Sequence, residues 1–294
     1  MRPSFHVFTA LFFFATLYAC SDATSSGTTP KPGTDGDGSD DGTTTADGGK
    51  TKNDGGPQGS KVNTTTQSVD VDGTSREYVL SVPKAYDKGG SYPLIVALHG
   101  DGQDAAGFVS FSKLEQVTGG EAILAFPDQS VDICAAYDDN PDEKLIERII
   151  DAVKSTYSID PSKIWGFGYS KGGYQLNEIA CKKPGLLTAM AVHAGGAPNS
   201  CTGGAINCAN GAGLPAFFTH GGNDDPNGGE YAAQYWAGRA GCQLTKSKTT
   251  PDICEAFDGC PADKPVVFCV VPNQPHYPMY GDAAAHSWAW FKTL

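Results

Sequence analysis

The chain is short of charge, and the charge it has is mostly of one sign. Of its 294 residues 18% are Asp, Glu, Lys or Arg, with 21 basic against 33 acidic side chains and a formal net charge of −12. No basic stretch interrupts that balance, so a phosphate backbone would be repelled and nucleic acid is excluded as a partner. No apolar run reaches the roughly 18 residues of a membrane span, which excludes an integral helical membrane protein. With 37 glycines and 19 prolines the chain is a poor coiled coil or helical bundle. Neither C-x-x-C nor a paired-histidine spacing occurs, so a zinc site lacks its ligands. No internal repeat is visible, and nothing in the sequence calls for a metal or an organic cofactor.

What is present begins with an export signal. Arg2 and the α-amine supply positive charge, residues 5–18 are almost wholly apolar, and Ala19 precedes Cys20. Leu17-Tyr18-Ala19-Cys20 resembles a bacterial lipobox, whose cysteine is acylated and becomes the new N-terminus. Tyr18 stands where a small residue is usual, and ordinary signal cleavage is the alternative. Residues 1–19 are therefore expected as a signal peptide, with Cys20 as the lipidation site and the outer membrane surface as the anchor's partner. Residues 21–66 have no aromatic side chain and a single branched aliphatic, Val62. Such a segment cannot bury enough apolar surface to offset the entropy of ordering it, so residues 20–66 are expected as a disordered tether.

Eight further cysteines all lie beyond residue 130. An even number in an exported domain implies disulfides, and the local pairs Cys254–Cys260 and Cys242–Cys269 are the first expectation.

The folded domain is expected over residues 67–294. Val69 and Val71 alternate up to Asp72-Gly73, and Tyr78, Leu80 and Val82 alternate after it, the pattern of an antiparallel edge hairpin. Short, wholly apolar runs follow at 94–98, 122–126, 164–167, 188–192, 216–218 and 266–271, as a sheet covered on both faces requires. Between them, residues 142–157 place Leu145, Ile146, Ile149, Ile150 and Val153 on one stripe, and 173–182, 230–240 and 282–294 also read as helices. Strands alternating with helices predict a single α/β domain around a mostly parallel, doubly wound sheet.

The sharpest motif is Gly168-Tyr169-Ser170-Lys171-Gly172-Gly173, between an apolar strand and a helix. G-x-S-x-G in that setting is a nucleophile elbow, with glycines where side chains would collide with the neighbouring strand and helix. Ser170 then stands at a helix N-terminus, where the Lys171 backbone N–H can stabilise an oxyanion. The base and its orienting acid follow in the order serine, acid, histidine. His6 falls in the signal, and His99, His193 and His220 come too early. That leaves His276, in a loop after the last apolar strand, and His286, inside the terminal helix; His276 is the expected base. The acid follows the strand at 216–218, where Asp224 is chosen over Asp225 and one of the two serves an aspartate-rich turn before Pro226. The second oxyanion donor is expected from the glycine-rich loop His99-Gly100-Asp101-Gly102-Gln103, at Asp101 or Gly102. Residues 199–213 are a candidate lid.

With these residues in place, the chain resembles the α/β-hydrolase esterases that group feruloyl esterases, acetyl xylan esterases and polyhydroxybutyrate depolymerase-like enzymes. The resemblance spans about residues 78–294. It is carried by Pro93 to Gly100, Gly168 to Gly173, the Asn177 to Cys181 helix leading to Ala194-Gly195-Gly196, and His220-Gly221-x-x-Asp224. Gly241-Cys242, Cys254, Cys260, Cys269 and His276 are similar to the cysteine-framed C-terminal region of the feruloyl esterases. The resemblance implies a Ser170–His276–Asp224 triad, no cofactor, and feruloyl or acetyl esters on polysaccharide as substrate. Three places depart from the family: Gln274-Pro275 and Tyr277-Pro278 around the histidine, Lys171 after the serine, and a short acidic stretch between residues 128 and 142. A polyester depolymerase, or a catalytically silent glycan-binding surface lipoprotein, are the alternatives.

Overall fold

The computed structural model describes residues 59–130, 140–198, 208 and 213–294. The expected signal peptide, Cys20 and most of the tether lie outside these residues, as do Cys134, Cys201 and most of the candidate lid.

Ten strands form one sheet in the order β1-β2-β4-β3-β5-β6-β7-β10-β9-β8. The N-terminal hairpin is β1 (Val62–Val71) and β2 (Thr74–Pro83), paired over ten residues and turned at Asp72-Gly73, both with positive φ. The first strand begins five residues before the expected domain start at Gln67. Thr64, Thr65 and Thr66 suit a strand because they are β-branched, and on an edge they need no apolar face; composition alone had placed them in the tether.

The parallel centre is β4 (Ile123–Pro127), β3 (Tyr92–Leu98), β5 (Ile159–Tyr169), β6 (Ala189–His193), β7 (Ala216–Gly221) and β10 (Val266–Val271). Along β3 the side chains split between two layers. Leu94, Val96 and Leu98 pack with Leu145, Ile149 and Leu176, whereas Ile95 and Ala97 pack with Phe108, Trp165 and Phe291. The first layer is covered by α3 (Pro141–Thr156), α4 (Lys171–Lys182) and α5 (Pro226–Ala240). The second is covered by α1 (Ala105–Ser112) and α6 (Ala283–Phe291), with α2 (Leu114–Thr118) between β3 and β4.

Helices α3 to α6 answer the four expected ones, while α1 and α2 were not anticipated. Helix α1 is eight residues long with phenylalanines and serines on all sides, which gives periodicity little to show. Its start is fixed by Asp104, whose side chain accepts the Gly107 N–H. The chain passes from β3 to β4 on one side and returns through α3 to β5 on the other. The loops after β3 and β5 therefore flank a switch point, the place where open α/β sheets bind ligands.

The far edge is antiparallel: β10 pairs with β9 (Cys254–Phe257), and β9 with β8 (Lys246–Thr249). Disulfides among the described residues join Cys181–Cys208, Cys242–Cys260 and Cys254–Cys269. They suit a chain that leaves the reducing cytoplasm. The two local pairs expected from the sequence are thus exchanged. Cys254 and Cys269 stand directly opposite in the β9–β10 ladder with Cα atoms 3.9 Å apart. Cys242 follows α5, where the Gln243 N–H donates to Asp258 O and brings Cys260 alongside.

Candidate active site

Strand β5 ends at Tyr169, and the chain turns sharply into α4 at Ser170, held at φ 50° and ψ −119°. A non-glycine residue at positive φ is strained, and here the turn is fixed on both sides: the Ser170 N–H donates to His193 O at 2.9 Å, and Ser170 O accepts from Gly173 N at 2.8 Å. The flanking glycines are needed. A methyl at Gly168 would meet the Gly172 backbone, and one at Gly172 would overlap the carbonyl oxygen of Leu98. Lys171, as the first residue of α4, has no intrahelical acceptor for its N–H.

Ser170 Oγ lies 2.8 Å from His276 Nε2, and His276 Nδ1 lies 2.9 Å from Asp224 Oδ2. Since the carboxylate can only accept, Nδ1 carries the imidazole proton and Nε2 is the lone pair that faces the serine hydroxyl. Asp225, the other aspartate, is the N-cap of α5, accepting the Gly228 N–H at 3.0 Å. His286, on α6, has its ring tilted 51° against that of Tyr280, with ring centroids 5.6 Å apart. The acid and histidine loops are sewn together by Asn223 N–H to Gln274 O (3.0 Å) and by Gly222 N–H to Val271 O (2.8 Å). The histidine loop is braced from within: Gln274 Nε2 donates to Pro275 O at 3.0 Å and to Pro278 O at 2.6 Å.

A cleft of about 190 Å³ opens over the serine, lined by Asp101, Gln103, Tyr169, Ser170, His276 and Tyr277. Gly100 N–H is taken by Gln103 Oε1 at 2.9 Å, and Gly102 adopts φ 68°. Asp101 and Gln103 are the residues of this loop that border the cleft beside Ser170. Among the described residues no cluster of side chains could hold a metal ion.

Three residues set aside in the sequence support these elements. Gln129 N–H donates to His99 Nε2 at 3.2 Å, so His99 Nδ1 carries the proton and donates to Gly100 O at 2.8 Å. Burial holds the His99 pKa down, keeping the ring neutral as a fixed brace for the loop after β3. His220 Nε2 donates to Gly195 O at 3.0 Å, and its Nδ1 stands 3.5 Å from Asp224 Oδ2. Helix α5 presses on that ring through Gly229, where any side chain would overlap it. His193 is fully buried, its pKa pushed down to about 3 chiefly by burial, and bonds Ser287 at 2.9 Å. A histidine within or just after a buried strand was the available signal for all three. Chain order removed them as the general base but said nothing about bracing.

A mostly parallel sheet with a serine at the β5–α4 turn, and an acid and a histidine from later loops, is the architecture of the α/β-hydrolase esterases. The acetyl xylan esterase from Aspergillus awamori superposes with a TM-score of 0.60 at 17% identity, over 78% of this chain and 100% of that one. No protein-family model matches the chain. In sequence it is 30% identical over 207 residues to a probable feruloyl esterase C of Aspergillus terreus, covering 66% of this chain and 73% of the relative. With feruloyl esterase C of Emericella nidulans it shares 27% over 199 residues, or 63% and 71% of the two chains. The chain belongs to the feruloyl esterase family and is a carboxylic ester hydrolase.

Proposed function

We propose that the chain is an exported serine esterase that hydrolyses feruloyl or acetyl esters on plant polysaccharide through Ser170, His276 and Asp224. The observation that carries this reading is the unbroken series Ser170 Oγ, His276 Nε2, His276 Nδ1 and Asp224 Oδ2, with both hydrogen bonds below 3 Å. Ser170 Oγ attacks the ester carbonyl carbon as its proton passes to His276 Nε2. The carbonyl oxygen becomes an oxyanion, held by the N–H groups of Lys171 and Asp101. Asp224 stabilises the imidazolium, which returns its proton to the sugar oxygen as the C–O bond breaks. Water then repeats the sequence on the acyl-enzyme and releases the acid.

Within this class a phenolic acyl group is favoured by the cleft wall. Tyr277 is 67% exposed and its ring is parallel to that of Phe111, with centroids 6.0 Å apart; Phe111 in turn contacts Tyr169 at 5.6 Å. Exposed aromatic rings at the mouth of a site supply the offset stacking an aromatic acid needs. Acylation of Cys20 would tether this enzyme to the outer membrane surface.

The test is incubation of the oxidised full-length protein with a fluorophosphonate, then mass spectrometry of the labelled peptide. Label on Ser170, absent in His276→Ala, together with release of ferulate from a feruloylated sugar, is the expected result. Hydrolysis of hydroxybutyrate oligomers alone would transfer the reading to polyester. A folded protein that takes no label and cleaves no ester would overturn it.

A further inference from the structure

His276 is gripped at three points, and only two belong to the triad. Nε2 faces Ser170 and Nδ1 faces Asp224, while the backbone carbonyl oxygen of His276 accepts a 2.7 Å hydrogen bond from the phenol of Tyr169. Tyr169 precedes the nucleophile in the chain, so two successive residues of one strained turn hold opposite ends of the same histidine. The Tyr169 side chain is almost wholly buried, and its ring centroid lies 5.8 Å from that of His276. It also abuts Gly100 of the loop after β3, where a Cβ would come within 2.9 Å of the ring.

We propose that Tyr169 is a positioning residue of the esterase. Its O–H fixes the height of the histidine loop over Ser170, and its ring sets the spacing between that loop and the oxyanion loop. The inference rests on the Ser170–His276–Asp224 reading and adds to it the part that ties the three loops together. A brace of this kind has to remain a donor across the working pH range. Burial first, then the charge of Asp224 and the neighbouring Tyr277, push the Tyr169 pKa up to about 12, which keeps the proton on the phenol. The loop needs such a brace because His276 is 46% exposed and stands among Pro275, Tyr277 and Pro278, outside any strand or helix.

Tyr169→Phe in the full-length protein removes the hydrogen bond and keeps the ring. With a short acetyl ester and a feruloyl ester in parallel, kcat is expected to fall about tenfold for both, with KM changed less than about twofold. The rate of fluorophosphonate labelling should fall by the same factor. In the His276→Ala background the second substitution should change nothing, because the brace acts only through that histidine. An unchanged kcat would overturn the proposal. So would a rise in KM confined to the feruloyl ester, which would make Tyr169 a substrate contact instead. If the wild-type protein is not labelled at Ser170, the triad reading fails and the proposal with it; if it is labelled and the variant matches it, only the proposal fails.

Discussion

The wall of the cleft that carries Ser170 and the wall that carries His276 are built from different materials. Ser170 is positioned by β3, β5 and β6, whose inner residues are buried on both faces and which meet α4 through close glycine contacts. His276 hangs beyond β10, whose outer neighbours β9 and β8 have four residues each and carry Lys246, Lys248 and Glu255 in mutual ion pairs. Strands that short and that polar bury too little to hold their own register. Two disulfides, Cys242–Cys260 and Cys254–Cys269, supply what burial does not. Packing therefore fixes Ser170, and cross-links together with side-chain braces such as Gln274 and Tyr169 fix His276.

The largest effect is expected where packing is least forgiving. Gly172→Ala would drive a methyl into the Leu98 and His99 carbonyl oxygens, backbone atoms in the centre of the sheet. The expected loss exceeds about 3 kcal/mol, read by urea denaturation. At the next residue, a Gly173→Ala methyl meets Val192 Cγ1 at 3.1 Å and Gly195 Cα at 3.2 Å, tight contacts but not the overlap with Leu98 O met at Gly172, so its loss should be smaller. Equal losses at the two positions would mean that the serine wall is not held by this contact.

On the other wall, replacing both Cys254 and Cys269 by alanine removes a cross-link across 15 residues of sequence. The expected cost is about 3 kcal/mol. Because β10 leads directly into the histidine loop, ester hydrolysis should be lost on warming before the far-ultraviolet circular dichroism of the central sheet changes. Simultaneous loss of both signals would erase the distinction between the walls.

The same contrast explains what the sequence made legible. Every strand of the parallel core was readable because burial on both faces leaves an uninterrupted apolar run, and G-x-S-x-G is local. Strands β8 and β9 were missed because Lys246 to Thr249 and Cys254 to Phe257 show neither an apolar run nor sustained alternation. The disulfide pairing was misread for a related reason: proximity in sequence favoured Cys254–Cys260, while the unseen β9–β10 ladder put Cys254 opposite Cys269. Tyr169 and Gln274 act through hydrogen bonds to loop carbonyls. No spacing rule announces such contacts, since they depend on where two distant loops meet.

The smallest effect sharpens the comparison by testing a costly charge in the serine wall. Glu178, on α4, is 4% exposed, and its carboxyl is pushed up to about 7. Burial is the main cause, and the nearby Glu143 pushes the same way; Lys182 pulls against both but is itself bonded to Glu143 at 2.5 Å. Between pH 4.5 and about 7 the folded chain keeps a proton that the unfolded chain has released. The stability linked to this group is therefore complete below pH 4.5 and is lost as the pH rises through 7. Glu178→Gln keeps the shape and removes the titration. The variant should match the wild type at pH 4.5 and exceed it at pH 8, read as a rise in Tm. A gain of the same size at both pH values would trace it to packing, and a loss at pH 8 would show that the ionised carboxylate is a partner that α4 needs.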